Sequence, residues 1–211
     1  MQPIDIFQIV VLIFSVVLHE VAHGYMANWL GDPTARLQGR LTLNPLKHLD
    51  PMGSVILPLF LKLTGSPVLI GYAKPVPYNP YNLRGRYDEA LVAFAGPGTN
   101  ILLAVIFGLI IRFFGESLDP TLFGAFAVIA LINLMLAIFN LIPVPPLDGS
   151  KILSIVLPPP FAGVYERFRE SFEQLGIFAG VLILLVLFYF LSPFFMGILQ
   201  FLFGLLTGLS F

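Results

Sequence analysis

Ile4 to Leu30 reads IDIFQIVVLIFSVVLHEVAHGYMANWL, an apolar run with His19, Glu20 and His23 set inside it. A membrane-crossing helix needs about 20 apolar residues, and this run has them. Two imidazoles and a carboxylate are costly to bury in hydrocarbon unless something pairs with them. A zinc ion would do so. On a helix, positions i and i+4 lie on one face with Cβ atoms about 5–6 Å apart, so both rings reach one metal. Glu20 then leans beside it, toward a metal-held water. A His-x-x-x-His pair on a soluble surface is usually incidental. Here the chain has three histidines, and two of them stand at ligand spacing with the glutamate between them, all within one span.

Composition supports the same reading. The 211 residues are 57% hydrophobic and 11% charged, with a mean hydropathy of +0.91, whereas soluble domains are about 25% charged. The 21 phenylalanines suit a lipid-facing surface. A net charge of −1 offers nothing to a nucleic acid. With no cysteine there is no disulfide framework and no thiolate metal site, so any metal must use nitrogen and oxygen ligands. The first run has neither a basic n-region nor a small-residue cleavage site and is expected to be a retained helix.

Three further runs are long enough to span: about Tyr87–Phe114, about Leu122–Ile142 and about Leu175–Phe211. The first run closes at Gly31-Asp32-Pro33, and the third at Pro143, Pro145 and Pro146. The last is too long for one span and carries Ser192-Pro193, which predicts a C-terminal hairpin over about 175–211, or one span plus an interfacial helix. Between the first two spans, Ala35–Leu43 alternates loosely and predicts a short strand. Met52–Leu63 predicts a short or re-entrant helix, and Gly71–Tyr81, with Pro75, Pro77 and Pro80, an extended segment. Strand at membrane depth requires cover by protein or a wet cavity, which a small sheet beside the histidines would have. The expected fold is an all-α membrane bundle of about 4–6 spans with a small β element, forming one domain over 1–211 with its core at about 4–155.

Basic residues set the orientation. Arg36, Arg40, Lys47, Lys62, Lys74, Arg84 and Arg86 lie in the first long connection, and Lys151, Arg167 and Arg169 in the second. The turn from Gly115 to Thr121 holds only Glu116 and Asp119. The long connections are therefore expected to face the cytoplasm, with Arg112 snorkelling at the outer end of its helix. His19, about 15 residues into its helix, lies roughly 20–24 Å from the outer end. The metal would sit within the bilayer, nearer the cytoplasmic face.

Catalytic zinc usually has three protein ligands and one open position. Asp148, after the proline cluster and before Gly149, is the leading third ligand, since the third span runs inward and breaks there. Asp32, Asp50 and Asp88 are rivals that capping or solvation also explains.

His19-Glu20-x-x-His23, with Asn140-x-x-Pro143-x-Pro145-x-x-Asp148-Gly149, resembles the site-2 protease family of intramembrane zinc metalloproteases. Phe94-Ala-Gly96-Pro97-Gly98-Thr-Asn100 looks like a further segment of that family. The resemblance covers about residues 8–155 and is to compact prokaryotic members without a PDZ or nucleotide-binding regulatory domain. It implies one zinc per chain held by His19, His23 and Asp148, with Glu20 as general acid/base. It also implies a single-pass membrane protein as substrate, cleaved within its transmembrane helix, and a location in a prokaryotic cell membrane.

Other polar residues are weighed the same way. Asn140 is a candidate donor to the substrate backbone or the oxyanion. Asn100 is a candidate for a substrate-side role, with packing around Gly96-Pro97-Gly98 as the plainer account. Asn133 reads as a helix-to-helix hydrogen bond. His48 reads as a solvated loop residue or a partner of Asp50, with a gate or relay as its functional alternative. The loop Gly39–Asn44 could offer a strand edge to an unwound substrate. A metal transporter using the same ligands is the competing function. It should show repeat symmetry and ionisable groups along a path, which the sequence lacks.

Overall fold

The computed structural model describes residues 3–50 and 73–209. The expected re-entrant helix over Met52–Leu63 lies outside the described residues. The architecture is a helical bundle: α1 (Pro3–Trp29), α2 (Thr34–Leu37), α3 (Asp88–Phe114), α4 (Pro120–Asn140), α5 (Asp148–Val156), α6 (Pro159–Gln174) and α7 (Gly176–Thr207). Among the described residues, four segments are long and apolar enough to cross a membrane: Ile4–Trp29, Asp88–Ser117, Pro120–Asn140 and Tyr189–Thr207. The protein is a multi-pass membrane protein.

Local chemistry sets the helix ends. Gly31, at φ 116°, closes α1, and Asp32 N–H reaches back to the Ala27 carbonyl at 2.8 Å, the pattern of a glycine-terminated helix. At the start of α4, Asp119 accepts from Thr121 N–H at 2.8 Å, and Pro120 takes the first helical position. Arg112, on α3, donates to the Leu205 carbonyl at 2.6 Å. It thus serves the last turn of α7, where carbonyls lack helical partners.

The central helix is α3, which packs against α1, α4, α5 and α7. Ala104, Ala130, Leu134, Leu199 and Phe203 form a buried cluster joining α3, α4 and α7. Alanine at two of these positions lets the backbones approach closely. On α1, Ile6, Ile9, Val10, Ile13 and Phe14 face outward, while Ser15, Val17, His19 and Val21 face the bundle.

Two expectations are corrected. No strand occurs among the described residues. Thr34–Leu37 is a helical turn, and the loop after it folds on itself. Arg40 N–H bonds the Ala35 carbonyl, Thr42 N–H the Arg40 carbonyl, and Asn44 N–H the Thr42 hydroxyl, and Gly39–Asn44 forms no regular strand with any described residue. There is also no hairpin reversal at Ser192-Pro193, because α7 runs through it as one helix. Pro193 has no N–H for the Tyr189 carbonyl. Ser192 Oγ donates to that carbonyl instead, at 2.9 Å, so the helix continues.

The segment 73–79 has no regular secondary structure, as its prolines imply. It behaves as a strap fastened at several points. Lys74 N–H bonds the His48 carbonyl at 2.8 Å. Arg40 donates to the Lys74 carbonyl at 2.9 Å. The Tyr78 hydroxyl donates to Glu89 on α3 at 3.1 Å, and Lys151 on α5 stands 5.1 Å from the centre of the Tyr78 ring. Buried Asp32 accepts from Asn79 N–H and the Asn82 amide, both at 2.7 Å, and from Thr34.

Candidate metal centre

The i, i+4 spacing on α1 aims both imidazoles at one point. His19 Nε2 and His23 Nε2 are 3.0 Å apart. Asp148 Oδ2 lies 3.2 Å from the first and 3.4 Å from the second. Asp148 arrives from the first residue of α5, after the turn that Pro143, Pro145 and Pro146 impose on the end of α4. Gly149 makes that turn tight enough. A Cβ there would strike the Leu141 carbonyl and lie 2.7 Å from the carbonyl oxygen of Ile142. Of the rivals, Asp32 is committed to the strap, and Asp88 accepts from Arg84 N–H and Gly85 N–H. Among the described residues, His19, His23 and Asp148 are the set that could hold a metal.

The donor chemistry fits a cation. His23 Nδ1 is 2.7 Å from the Val92 carbonyl, which only accepts. Nδ1 therefore carries the proton, and Nε2 presents a lone pair. His19 Nδ1 is 2.6 Å from Asn100 Oδ1, leaving its Nε2 in the same state. Two lone pairs and a carboxylate oxygen thus converge, an arrangement that repels itself without a positive charge at its centre. Tetrahedral zinc, with ligands at about 2.0–2.1 Å, would hold its donors roughly 3.3 Å apart, and the three separations lie near that value. Two imidazoles and one carboxylate are a zinc donor set, with a position left open.

Space for the rings comes from α3. A Cβ on Gly96 would strike His23 Nε2 and lie 2.6 Å from His19 Nε2. Pro97, next in sequence, leaves the Ala93 carbonyl without its helical donor, in the same turn whose Val92 carbonyl serves His23.

Glu20 accepts from the Val76 backbone N–H through Oε2 at 2.8 Å. The strap thereby reaches the residue beside the metal ligands. Val76 was not legible as a site residue. The available signal was that Pro75 and Pro77 leave it the one N–H in that tripeptide.

Asn100 and Asn133 are fully buried. Asn100 lies behind His19 rather than open to a cleft, and its Nδ2 donates to Asn133 Oδ1 at 2.8 Å. Asn133 bridges helices as expected, donating to Ser15 Oγ at 2.9 Å. Asn140, half-buried at the end of α4, donates to the Leu136 carbonyl of its own helix at 2.9 Å. His48 is not solvated. It is buried, its Nε2 lies 2.8 Å from the Thr42 carbonyl, and its backbone carbonyl anchors the strap.

The Peptidase family M50 model matches residues 110–187. YwhC of Bacillus subtilis (strain 168), named as a candidate zinc metalloprotease, is 36% identical over 192 residues, which is 85% of this chain and 78% of YwhC. The chain belongs to peptidase family M50. Rip2 of Mycobacterium tuberculosis (strain H37Rv), named in the same way, is 31% identical over 201 residues, 93% of this chain and 72% of its own. Rip2 of Mycolicibacterium smegmatis is 31% identical over 147 residues, 70% of this chain and 56% of its own. No solved structure matches. The M50 assignment agrees with the site-2 protease resemblance of the sequence motifs. The stretch that matches the M50 model includes Asn133, Asn140, Asp148 and the proline turn.

Proposed function

We propose that this M50 peptidase is an intramembrane zinc endopeptidase that hydrolyses peptide bonds in transmembrane segments of single-pass substrate proteins, as in regulated intramembrane proteolysis. The supporting observation is the convergence of His19, His23 and Asp148 within 3.4 Å of one another beside Glu20. The cluster lies about 24 Å along a helix long enough to span. Arginine and lysine in the two long connections support an active site toward the cytoplasmic face.

His19, His23 and Asp148 would hold the zinc, which supplies Lewis acidity when bound. Glu20 is the general base for water and then the acid that returns a proton to the leaving amine. Val76 N–H fixes one carboxylate oxygen, which keeps Glu20 from swinging away from the ligands. Asn140 spends one of its two amide hydrogens on Leu136. The other is the donor assigned to the substrate carbonyl.

The test incubates purified protein in detergent or liposomes with a transmembrane peptide, with and without a zinc chelator, beside Glu20→Gln. Chelation abolishes cleavage. Glu20→Gln retains zinc and loses cleavage by about 10²–10⁴-fold. Equal cleavage by Glu20→Gln ends the proposal. Zinc flux across liposomes with no cleavage by the parent assigns the site to transport instead.

A further inference from the structure

We propose that Asn133, which does not touch the metal ligands, decides which nitrogen of His19 carries the proton, acting through Asn100. This rests on His19 holding the metal through Nε2. The argument begins at a backbone carbonyl. Asn133 Nδ2 lies 2.9 Å from the Ile129 carbonyl and 2.9 Å from Ser15 Oγ. The hydroxyl can donate or accept, but the carbonyl only accepts. The Asn133 end facing Ile129 must therefore be the NH2 group, and its oxygen must face Asn100.

That oxygen accepts from Asn100 Nδ2 at 2.8 Å, and the Ser15 carbonyl, 3.5 Å from the same nitrogen, favours the same orientation. Asn100 must then present its oxygen to His19 Nδ1, where it stands at 2.6 Å. An amide oxygen only accepts, so His19 Nδ1 is protonated and Nε2 is left as the ligand atom. Rotating either amide by half a turn would set donor against donor or acceptor against acceptor. With both side chains fully buried, no water makes up the loss. Asn100 alone would enforce this only weakly, because without Asn133 its far end has just the Ser15 carbonyl, at 3.5 Å, to hold the NH2 group there. Asn133 and Asn100 are positioning residues, and the chain of bonds from α4 through α3 to α1 carries one bit of information, the direction of a proton.

The experiment measures zinc affinity by competition with a chromophoric chelator for the parent, Asn133→Leu and the double variant Asn133→Leu with Asn100→Asp. Partners behind a metal ligand typically account for about 10–100-fold in affinity. Asn133→Leu, one bond further out, is expected to weaken zinc by about tenfold. The double variant is expected to regain most of the loss, since a carboxylate has no NH2 end to turn toward His19. Unchanged affinity in Asn133→Leu, or no recovery in the double variant, overturns the relay, because a packing defect would not be cured by a charge at Asn100. Should Asn133→Leu not fold, nitrogen NMR of the histidine-labelled, metal-free parent decides, because it reads which ring nitrogen carries the proton. His19 protonated on Nδ1 is expected, and protonation on Nε2 overturns the relay. A parent that binds no zinc removes the premise itself.

Discussion

Val76 holds Glu20 through a single backbone hydrogen bond, N–H to Oε2 at 2.8 Å, across 56 residues of sequence. The bond joins the strap at 73–79 to the helix that carries the metal ligands. It makes the position of the Glu20 carboxylate depend on a loop rather than on α1 alone. Val76→Pro removes the donor and leaves the flanking prolines in place. Peptide cleavage is expected to fall by at least about tenfold while zinc content stays at the parental level, since a hydrogen bond to a charged group is worth about 1.5–3 kcal/mol. Val76→Ala keeps the N–H and is expected to fall less. Paired measurement of cleavage rate and bound zinc checks both.

Gly96 and Gly98 flank Pro97 on α3 yet differ in what a methyl group would meet. At Gly96 it would meet both ligand nitrogens, and at Gly98 only the ring of Phe94, at 3.1 Å. Gly96→Ala is expected to abolish stoichiometric zinc binding, and Gly98→Ala to retain it. Metal analysis of the purified variants distinguishes them.

Gly149→Ala tests the third ligand without removing it. The methyl group would press on the Leu141 and Ile142 carbonyls, which are backbone and cannot rotate aside. The first turn of α5 must shift and take Asp148 with it. Zinc affinity is expected to drop by at least about tenfold, and the melting temperature to fall as well, because a steric clash in a packed turn costs about 1–3 kcal/mol. Asp148→Asn is expected to lose zinc while leaving the metal-free melting temperature close to that of the parent.

Asp32 ties the strap to the end of α1, and its titration gives the protein an acid limit. Burial alone would raise its pKa. Hydrogen bonds from Asn82, Thr34 and Asn79 outweigh this and hold it below the ordinary carboxylate value. A depressed folded pKa means that the stabilisation is complete above the unfolded value of about 3.9. It is lost as pH falls through the lower folded value. Thermal stability of the parent is therefore expected to decline below about pH 4, and Asp32→Asn should show a lower plateau and a shallower decline. A parallel decline in both would assign the acid limit to other carboxylates.

Much of the site could be read in one dimension. The spacing of His19 and His23 puts both rings on one helical face whatever the surroundings, because helix geometry is local. The proline run before Asp148 forces a turn wherever it occurs. Apolar length identified the spans α1, α3 and α4 with ends displaced by about two residues at most. Ala35–Leu43 misled because loose alternation marks a strand only where it finds a partner, and among the described residues this loop bonds to itself. Ser192-Pro193 misled because a proline breaks a helix only when nothing else serves the freed carbonyl, and here the preceding serine does.

The sequence by itself therefore determined a bundle of membrane helices with a histidine pair at metal-ligand spacing inside one of them, since hydrophobic length and the i, i+4 repeat depend on nearest neighbours alone. Only the tertiary structure decided which imidazole nitrogens converge on Asp148, what a side chain at residue 96 would strike, and what steadies Glu20. Those answers lie in contacts between residues 33 or more positions apart, such as Asn100 with Asn133, Glu20 with Val76 and Ser15 with Asn133. Such contacts exist because buried polar groups among apolar helices must find one another, and which of them meet is set by how the helices pack.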